Sequence, residues 1–344
     1  MKNKALFIST HHRIGERLYP LLLKLAEDYT LDIICTYKMR ADFKWPGDNE
    51  IRYRFFEKNI DKFNQIYDAG FSITSLPQPF DYSVIIYDDN RDNHNMQLVY
   101  SNAKGPVFAA NHGNTDANHA YSLNKRIYDY SFVFGRDDIK TEFNIAGGIP
   151  ANDALVNYKN EEKKHILIIG NFLGNRSAVL GLKTQDKYFF DSLNLKKLNK
   201  KYNLPIVIKL KSREDERGYK HNLAYLESII DPDVNYKVVV DIENDNQFIA
   251  QSAAVITPAS TLAFKSIQLG IPTAIVDGYG QIGTLINYPY VCHPNEVIEY
   301  LSNYNFEDTK EFIENAVEGG LTFDSTEIMF KKIKDVCTHF SRTA

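Results

Sequence analysis

The sequence predicts an α/β protein of two consecutive Rossmann-like, doubly wound domains facing a cleft, closed by C-terminal helices. Three observations predict it. Short continuous apolar runs alternate with segments of helical period through most of the chain. The alternation is interrupted by the charged, apolar-poor "NYKNEEKKH" at 157–165, after which a second alternating set begins. Finally, 344 residues exceed one ordinary core and fit two domains of average size. The expected boundaries are 1–156, 157–305, and 306–344 for helices that pack outside or cross back to the first domain.

Taken in order, "KALFIST" reads as a strand, "GERLYPLLLKLAEDY" as an amphipathic helix and "LDIICTY" as the next strand, an opening βαβ unit. "DYSVIIYDD", "GPVFAANHG", "YSFVFG" and "FNIAGGIPAND" continue the first half. Such short apolar runs are what a parallel sheet buries on both faces. The second set runs through "ILIIGNF", a long helix over 185–203, "LPIVIKLK", a helix around "NLAYLESII", "YKVVVD", "NQFIAQSA", "AVITP", "STLAFKSIQLG" and "PTAIVDG". "NFEDTKEFIENAVEGG" and "STEIMFKKIKDVCTHF" are the terminal helices. Residues 38–80 show no clear pattern and stay unassigned.

Composition narrows the function classes. The chain is 44% hydrophobic and 24% charged with a net charge of -4, which suits a soluble globular protein and lacks the basic excess of a nucleic-acid binder. Cys35, Cys292 and Cys337 are few, odd in number and widely spaced, so a reducing, cytoplasmic setting is expected, with no disulfide framework or zinc site. "ALFIST" is too short for a signal peptide and is followed at once by "HHRIGER". No apolar stretch approaches the roughly 20 residues that span a bilayer. The basic "LKKLNKK" at 195–201 reads as a solvated helix face and leaves peripheral association with the inner face of a membrane open. The sequence says nothing about oligomeric state.

Ligands of doubly wound sheets bind beyond the strand ends, so the chemistry is sought there. The first strand ends in "STHHRIGER", where Thr10 and His11 are acceptor-side candidates or plain helix-capping loop residues. There is no GxGxxG fingerprint and no GxxxxGK[ST] loop, which removes the usual support for hydride transfer and ATP hydrolysis. "YDDN" puts Asp88 and Asp89 at a strand end. A carboxylate there can act as a general base, and since neighbouring strand residues point to opposite faces, at most one of the two is placed for it. "NHGNTDANHA" places His112 directly after the "PVFAA" strand, as a general base or a donor to a leaving phosphate, with Gly113 and Asn114 allowing close backbone approach and capping. A histidine tied into a turn is the plain alternative.

In the second half, Gly170 and Asn171 open a Gly and Asn loop whose N–H groups suit a phosphate pocket. Lys209, Lys211 and Arg213 lie at and beyond a strand end, where they suit a phosphate or, on an exposed edge, merely discourage strand pairing. Thr257, Ser260 and Thr261 form a hydroxyl-rich turn that opens a helix, and free N–H groups at a helix start favour an anion. "AGGIPAND" between the halves reads as a fixed turn or hinge, in which Asn152 or Asp153 can cap the next segment.

The order of these elements resembles the GT-B fold transferases of bacterial surface polysaccharides, in particular the CDP-glycerol glycerophosphotransferase group and its glycosyltransferase relatives, over roughly residues 80–285. "NHGNT" resembles that group's Trp-His-Gly-Thr-Pro element, "GGIPAND" its Gly-x-Pro-Arg-Asn-Asp turn, and "TPASTLAFKSIQLGIP" its Asp-x-Ser-Ser element and following helix. Where the family carries Arg-Pro-His-Pro, this chain has "KLKS", which favours sugar transfer over phosphoglycerol transfer. "YDDN" is also similar to the Asp-Asp-Gly element of GT-B sialyltransferases, without its glycine. The resemblance implies a glycosyltransferase that moves a sugar from a nucleotide-activated donor, bound by the second domain, to a glycan or lipid-linked acceptor at the first. His112, or else Asp88 or Asp89, would be the base. No cofactor and no metal are expected, because helix dipole and cations stabilise the leaving phosphate. Alternatives within the same architecture are a glycerophosphotransferase, a non-hydrolysing sugar-nucleotide epimerase, and a non-catalytic binding subunit.

Overall fold

The computed structural model of the chain describes residues 2–9, 12–35, 60–67, 80–87, 93–110, 127–170, 190–210, 223–224, 226–239, 242, 244–258, 260–276 and 283–341. The strands are β1 (Asn3–Ser9), β2 (Tyr29–Cys35), β3 (Gln65–Tyr67), β4 (Val84–Tyr87), β5 (Val107–Ala110), β6 (Tyr130–Val133), β7 (Asn144–Ala146), β8 (His165–Gly170), β9 (Ile206–Leu210), β10 (Tyr236–Val239), β11 (Ser252–Thr257), β12 (Thr273–Val276) and β13 (Val291–Cys292). The helices are α1 (His12–Asp28), α2 (Asn93–Asn102), α3 (Leu195–Tyr202), α4 (Asp245–Ala250), α5 (Leu262–Gln268), α6 (Val297–Ser302), α7 (Glu307–Ala316) and α8 (Ser325–His339). The chain divides into two compact units, Met1–Asp153 with Glu314–Ala344, and Ala154–Ile313.

The first unit is built on a seven-stranded sheet in the order β3-β2-β1-β4-β5-β6-β7, with every pairing parallel. Alternate residues of each strand go to opposite apolar layers, as a pleat of period two requires. Phe7, Ile33, Ile86 and Phe108 pack with Leu18, Leu22 and Leu25 of α1 and with Met329, Phe330 and Ile333 of α8. Leu6, Ile8, Ile34, Ile85 and Tyr87 pack on the other face with Met96 and Val99 of α2. The C-terminal helix α8 therefore completes the layer of the unit that begins the chain.

The second unit has a six-stranded parallel sheet, β10-β9-β8-β11-β12-β13. Ile166, Ile168, Ile206, Ile208 and Ile256 face Leu195 and Leu198 of α3 and Val297 and Leu301 of α6. Leu167, Ile169, Val207 and Val255 face the opposite way, toward Ile249 of α4 and Leu262 and Leu269 of α5. Both sheets are covered on both sides, which is the doubly wound arrangement that the apolar runs predict.

Two local expectations change. The long helix read over 185–203 is broken at Asn194, whose φ of 49° is left-handed and whose side chain accepts from Lys197 N–H at 3.2 Å to start α3 afresh. Asn tolerates that conformation better than most residues because its short amide bonds locally. Within the unassigned stretch 38–80, a 3-10 turn (Ile60–Lys62) leads into β3, an edge strand of three residues on β2. No helix among the described residues is long and apolar enough to cross a membrane.

Candidate functional site

In the second unit the chain builds β8, β9 and β10 outward in one direction and β11, β12 and β13 in the other. The order reverses between β8 and β11, and at such a switch point the connections leave to opposite sides, opening a crevice beyond the strand ends. β8 ends at Gly170 and β11 ends at Thr257, so two of the sequence-derived donor positions flank the reversal. Asn171, Lys211 and Arg213 lie outside the described residues.

Lys209 is the penultimate residue of β9, a strand paired on both sides, by β8 and by β10. An interior strand has no edge to protect, which removes the edge-guarding reading of this lysine. It shares its face with Val207, the face that carries α4 and α5, and it is half-buried. Thr257 lies on that same face, two residues after Val255.

The hydroxyl turn differs from expectation in one respect. Thr257 is fully buried and its Oγ1 donates to the Pro258 carbonyl at 2.7 Å, so its single proton is spent inside the turn and is not offered to a phosphate. Ser260 is arranged differently. Its Oγ accepts from Leu262 N–H at 3.3 Å and its carbonyl accepts from Ala263 N–H at 3.0 Å, which starts α5. An accepting hydroxyl keeps its own proton for a further acceptor. Thr261 follows at the helix start and is half-buried. The far end of α5 closes on Gly270 at φ 68°, with Ile271 N–H on Ser266 O and Gly270 N–H on Ile267 O, both at 3.0 Å.

One residue of this face escaped the sequence reading. Lys265 interrupts the stripe Leu262, Lys265, Ser266, Leu269 of α5, and its Nζ donates to the Asn246 side-chain oxygen in the first turn of α4 at 2.7 Å. A charge between Leu262 and Leu269 on a short helix was the available signal.

The first unit repeats the same topology, with its reversal between β1 and β4. β1 ends at the buried Ser9 and β4 at the buried Tyr87, so Thr10 and His11, and Asp88 and Asp89, follow directly in the chain from the two strands that flank this switch point. β5 ends at Ala110, two residues before His112. Thr10, His11, Asp88, Asp89, His112, Gly113 and Asn114 themselves lie outside the described residues. At the described end of β5 a small depression is lined by Ala110, Phe134, Ile149 and Arg17 of α1.

The "AGGIPAND" turn has a structural task beyond that of a hinge. Gly148 has φ +79°, and a Cβ there would stand 2.1 Å from Glu318 O and 2.2 Å from Ser325 Oγ. Asp153 accepts from Ser325 N–H at 3.0 Å and from Thr326 N–H at 2.8 Å, so it caps α8. Nearby in the chain, Asp138 is buried in the 3-10 turn Arg136–Asp138, and its Oδ2 has no hydrogen-bond partner. Burial pushes its pKa up to about 7.

No family model matches this chain, and no curated protein does. Solved structures match it end to end. UDP-GlcNAc 2-epimerase from Neisseria meningitidis, bound to UDP-GlcNAc, aligns with a TM-score of 0.61 at 14% identity over 96% of this chain and 100% of that one. The fold is GT-B-like. UDP-GlcNAc 2-epimerase from Methanocaldococcus jannaschii, in complex with UDP-GlcNAc and UDP, gives 0.61 at 13% over 98% and 100%. Anabaena HepE in complex with UDP and glucose gives 0.60 at 11% over 98% and 100%. At these identities the likeness is one of GT-B-like architecture, carried by the two parallel sheets and their reversals.

Proposed function

We propose that the chain is an enzyme acting on a nucleotide-activated sugar, and that its reaction is epimerisation of that sugar without a nicotinamide cofactor. The observation that carries the reading is the end-to-end likeness to structures described as UDP-GlcNAc 2-epimerases, two of them holding the sugar nucleotide. The second unit would bind the nucleotide: Gly170 and Asn171 beyond β8, Ser260 and Thr261 at the start of α5, and Lys209, Lys211 and Arg213 beyond β9, with Thr257 shaping the turn. Backbone N–H groups, hydroxyls and cations around a switch point suit a diphosphate, and they meet its charge without a metal.

Inverting a carbon centre needs one group to remove a proton and another to return one on the opposite face. His112 with Asp88 or Asp89 supplies an imidazole and a carboxylate from neighbouring strand ends of the first unit. Thr10, His11, Gly113 and Asn114 are the acceptor-side candidates in the same strand-end loops of that unit.

Transfer is the second reading, favoured by the resemblance of "NHGNT", "GGIPAND" and "TPAST" to surface-polysaccharide transferases. There the same base would deprotonate a hydroxyl of a glycan or lipid-linked acceptor, at the inner face of the membrane. One experiment separates the readings. The protein is incubated in D2O with UDP-, GDP-, CDP- and CMP-activated sugars, with and without oligosaccharide or membrane acceptor, and followed by NMR. Epimerisation gives a new sugar nucleotide carrying solvent deuterium with no acceptor present. Transfer gives product only with acceptor. Binding without turnover in every arm would mark a non-catalytic subunit and overturn both.

A further inference from the structure

We propose that the Lys209 ammonium holds the ligand-free second unit below its full stability, and that an oxyanion bound at Lys209 restores it. Occupancy of the crevice and stability of the unit are then linked through one charge. The inference rests on the nucleotide-binding reading above and gives Lys209 a task separate from those of Lys211 and Arg213.

The sequence places this charge where a strand does not favour one. "IVIKL" is an interior strand, and lysine is depleted at such positions, which suit β-branched and aromatic side chains. In the paired register Lys209 lies between Ile169 of β8 and Val239 of β10. Both neighbours belong to the apolar layer under α4 and α5, so the row across the three strands is one cation between two apolar side chains. The Lys209 ammonium has no hydrogen bond and no ion pair among the described residues. The charged side chains of the two helices on this face, Asp245 of α4 and Lys265 of α5, do not bond to it.

A lysine can lay its stem along apolar surface and keep its head in water, which is the plain alternative. Half-burial beside Ile169 and Val239 removes part of the water that solvates the charge, and no protein group replaces it. A cation in that state disfavours the fold and favours any oxyanion that reaches it, because charge-assisted bonds are the strong ones. Its position brings it near one: β9 neighbours β8, whose end at Gly170 flanks the reversal of strand order where ligands of this architecture bind. A residue that breaks the local rule for its position, with no compensation in the fold, marks a functional site. The chemistry recognised is a phosphate oxyanion, whether of a nucleoside diphosphate or of inorganic diphosphate.

The test is thermal unfolding of the full chain, unaltered and as Lys209→Met and Lys209→Gln. Each is measured alone, with UDP, GDP or CDP, and with inorganic diphosphate, against sodium chloride of equal ionic strength. Methionine keeps an unbranched apolar stem and removes the charge. Glutamine also removes the charge but keeps a polar end, so its ligand response decides if the methionine variant does not fold. The expected result is a ligand-free Lys209→Met protein that melts about 2–4 °C above the unaltered one. The melting point of the unaltered protein should rise with ligand concentration, and that rise should be lost in both variants. Lys209→Met melting at or below the unaltered protein would show a fully solvated ammonium and overturn the inference. A ligand-induced rise of unaltered size in either variant would overturn it too. A rise with inorganic diphosphate but with none of the nucleotides leaves Lys209 as an oxyanion site and removes the nucleotide reading. No rise with any of the four removes both.

Discussion

Asp153 caps a helix that starts 172 residues later in the chain: its two carboxylate oxygens take the Ser325 and Thr326 N–H groups at 3.0 and 2.8 Å. The bond joins the last residue of the first segment of unit one to the segment that returns to complete it. Asp153→Ala leaves two N–H groups of α8 without acceptors in a part-buried position. Losing an N-cap costs about 0.5–2 kcal/mol, and the charge-assisted bonds put the expected loss toward the upper end. Urea denaturation checks it, and an unchanged midpoint in Asp153→Ala would show that the cap does not stabilise the unit.

The same turn gives a backbone prediction. Gly148→Ala must place a Cβ against Glu318 O and Ser325 Oγ in a left-handed conformation, so α8 has to shift. Stability should fall by more than about 1 kcal/mol, the cost typical of backbone strain at one residue. A melting temperature equal to that of the unaltered protein would mean that the docking of α8 tolerates the displacement.

Asp138 makes stability depend on pH in a definite direction. Its carboxyl has a pKa of about 7 in the folded chain against an ordinary 3.8, so the folded state binds more protons between those values. The stabilising contribution of the protonated group is therefore full below about pH 4, is lost as pH rises toward 7, and is absent above it. Asp138→Asn should raise stability at pH 8 and lose that advantage at pH 4. Equal differences at both pH values would show that burial does not shift this carboxyl.

Ser260 and Thr257 should separate by function. Ser260→Ala removes the oxygen that accepts from Leu262 N–H and a hydroxyl proton which that bond does not use, so stability falls by about 1 kcal/mol and nucleoside diphosphate affinity falls by roughly tenfold. Thr257→Val keeps the buried shape and loses only the bond to Pro258 O. Its nucleotide affinity should match the unaltered protein. Calorimetry on both variants checks this, and the reverse ranking would return the phosphate to Thr257.

Much of the fold was legible because its signal is local. Parallel strands buried on both faces, such as Val84–Tyr87 and Ile206–Leu210, are continuous apolar runs whatever their neighbours. β3 and β13 have three and two residues, too few for any period to show. The break at Asn194 was hidden because Asn is equally at home on a helix surface, and the buried Leu193 and Leu195 on either side continue the apolar pattern through it. At the site, the ends of β8 and β11 were readable as Gly170 and Thr257, since turn residues follow apolar runs there. The roles were harder to read. Whether Thr257 gives its proton to a ligand or to Pro258, and which helix Asp153 caps, depend on partners that only the folded chain brings near.

The central claim is that a nucleotide binds beyond the ends of β8 and β11 in the second unit, and a crystal structure of the protein soaked with UDP, or with whichever of GDP and CDP binds more tightly, tests it most directly. The account predicts the diphosphate beyond Gly170 and Thr257, within hydrogen-bond reach of Ser260 Oγ and of the Lys209 ammonium. Nucleotide bound elsewhere on the chain, or a crevice that stays empty at millimolar nucleotide, would contradict it.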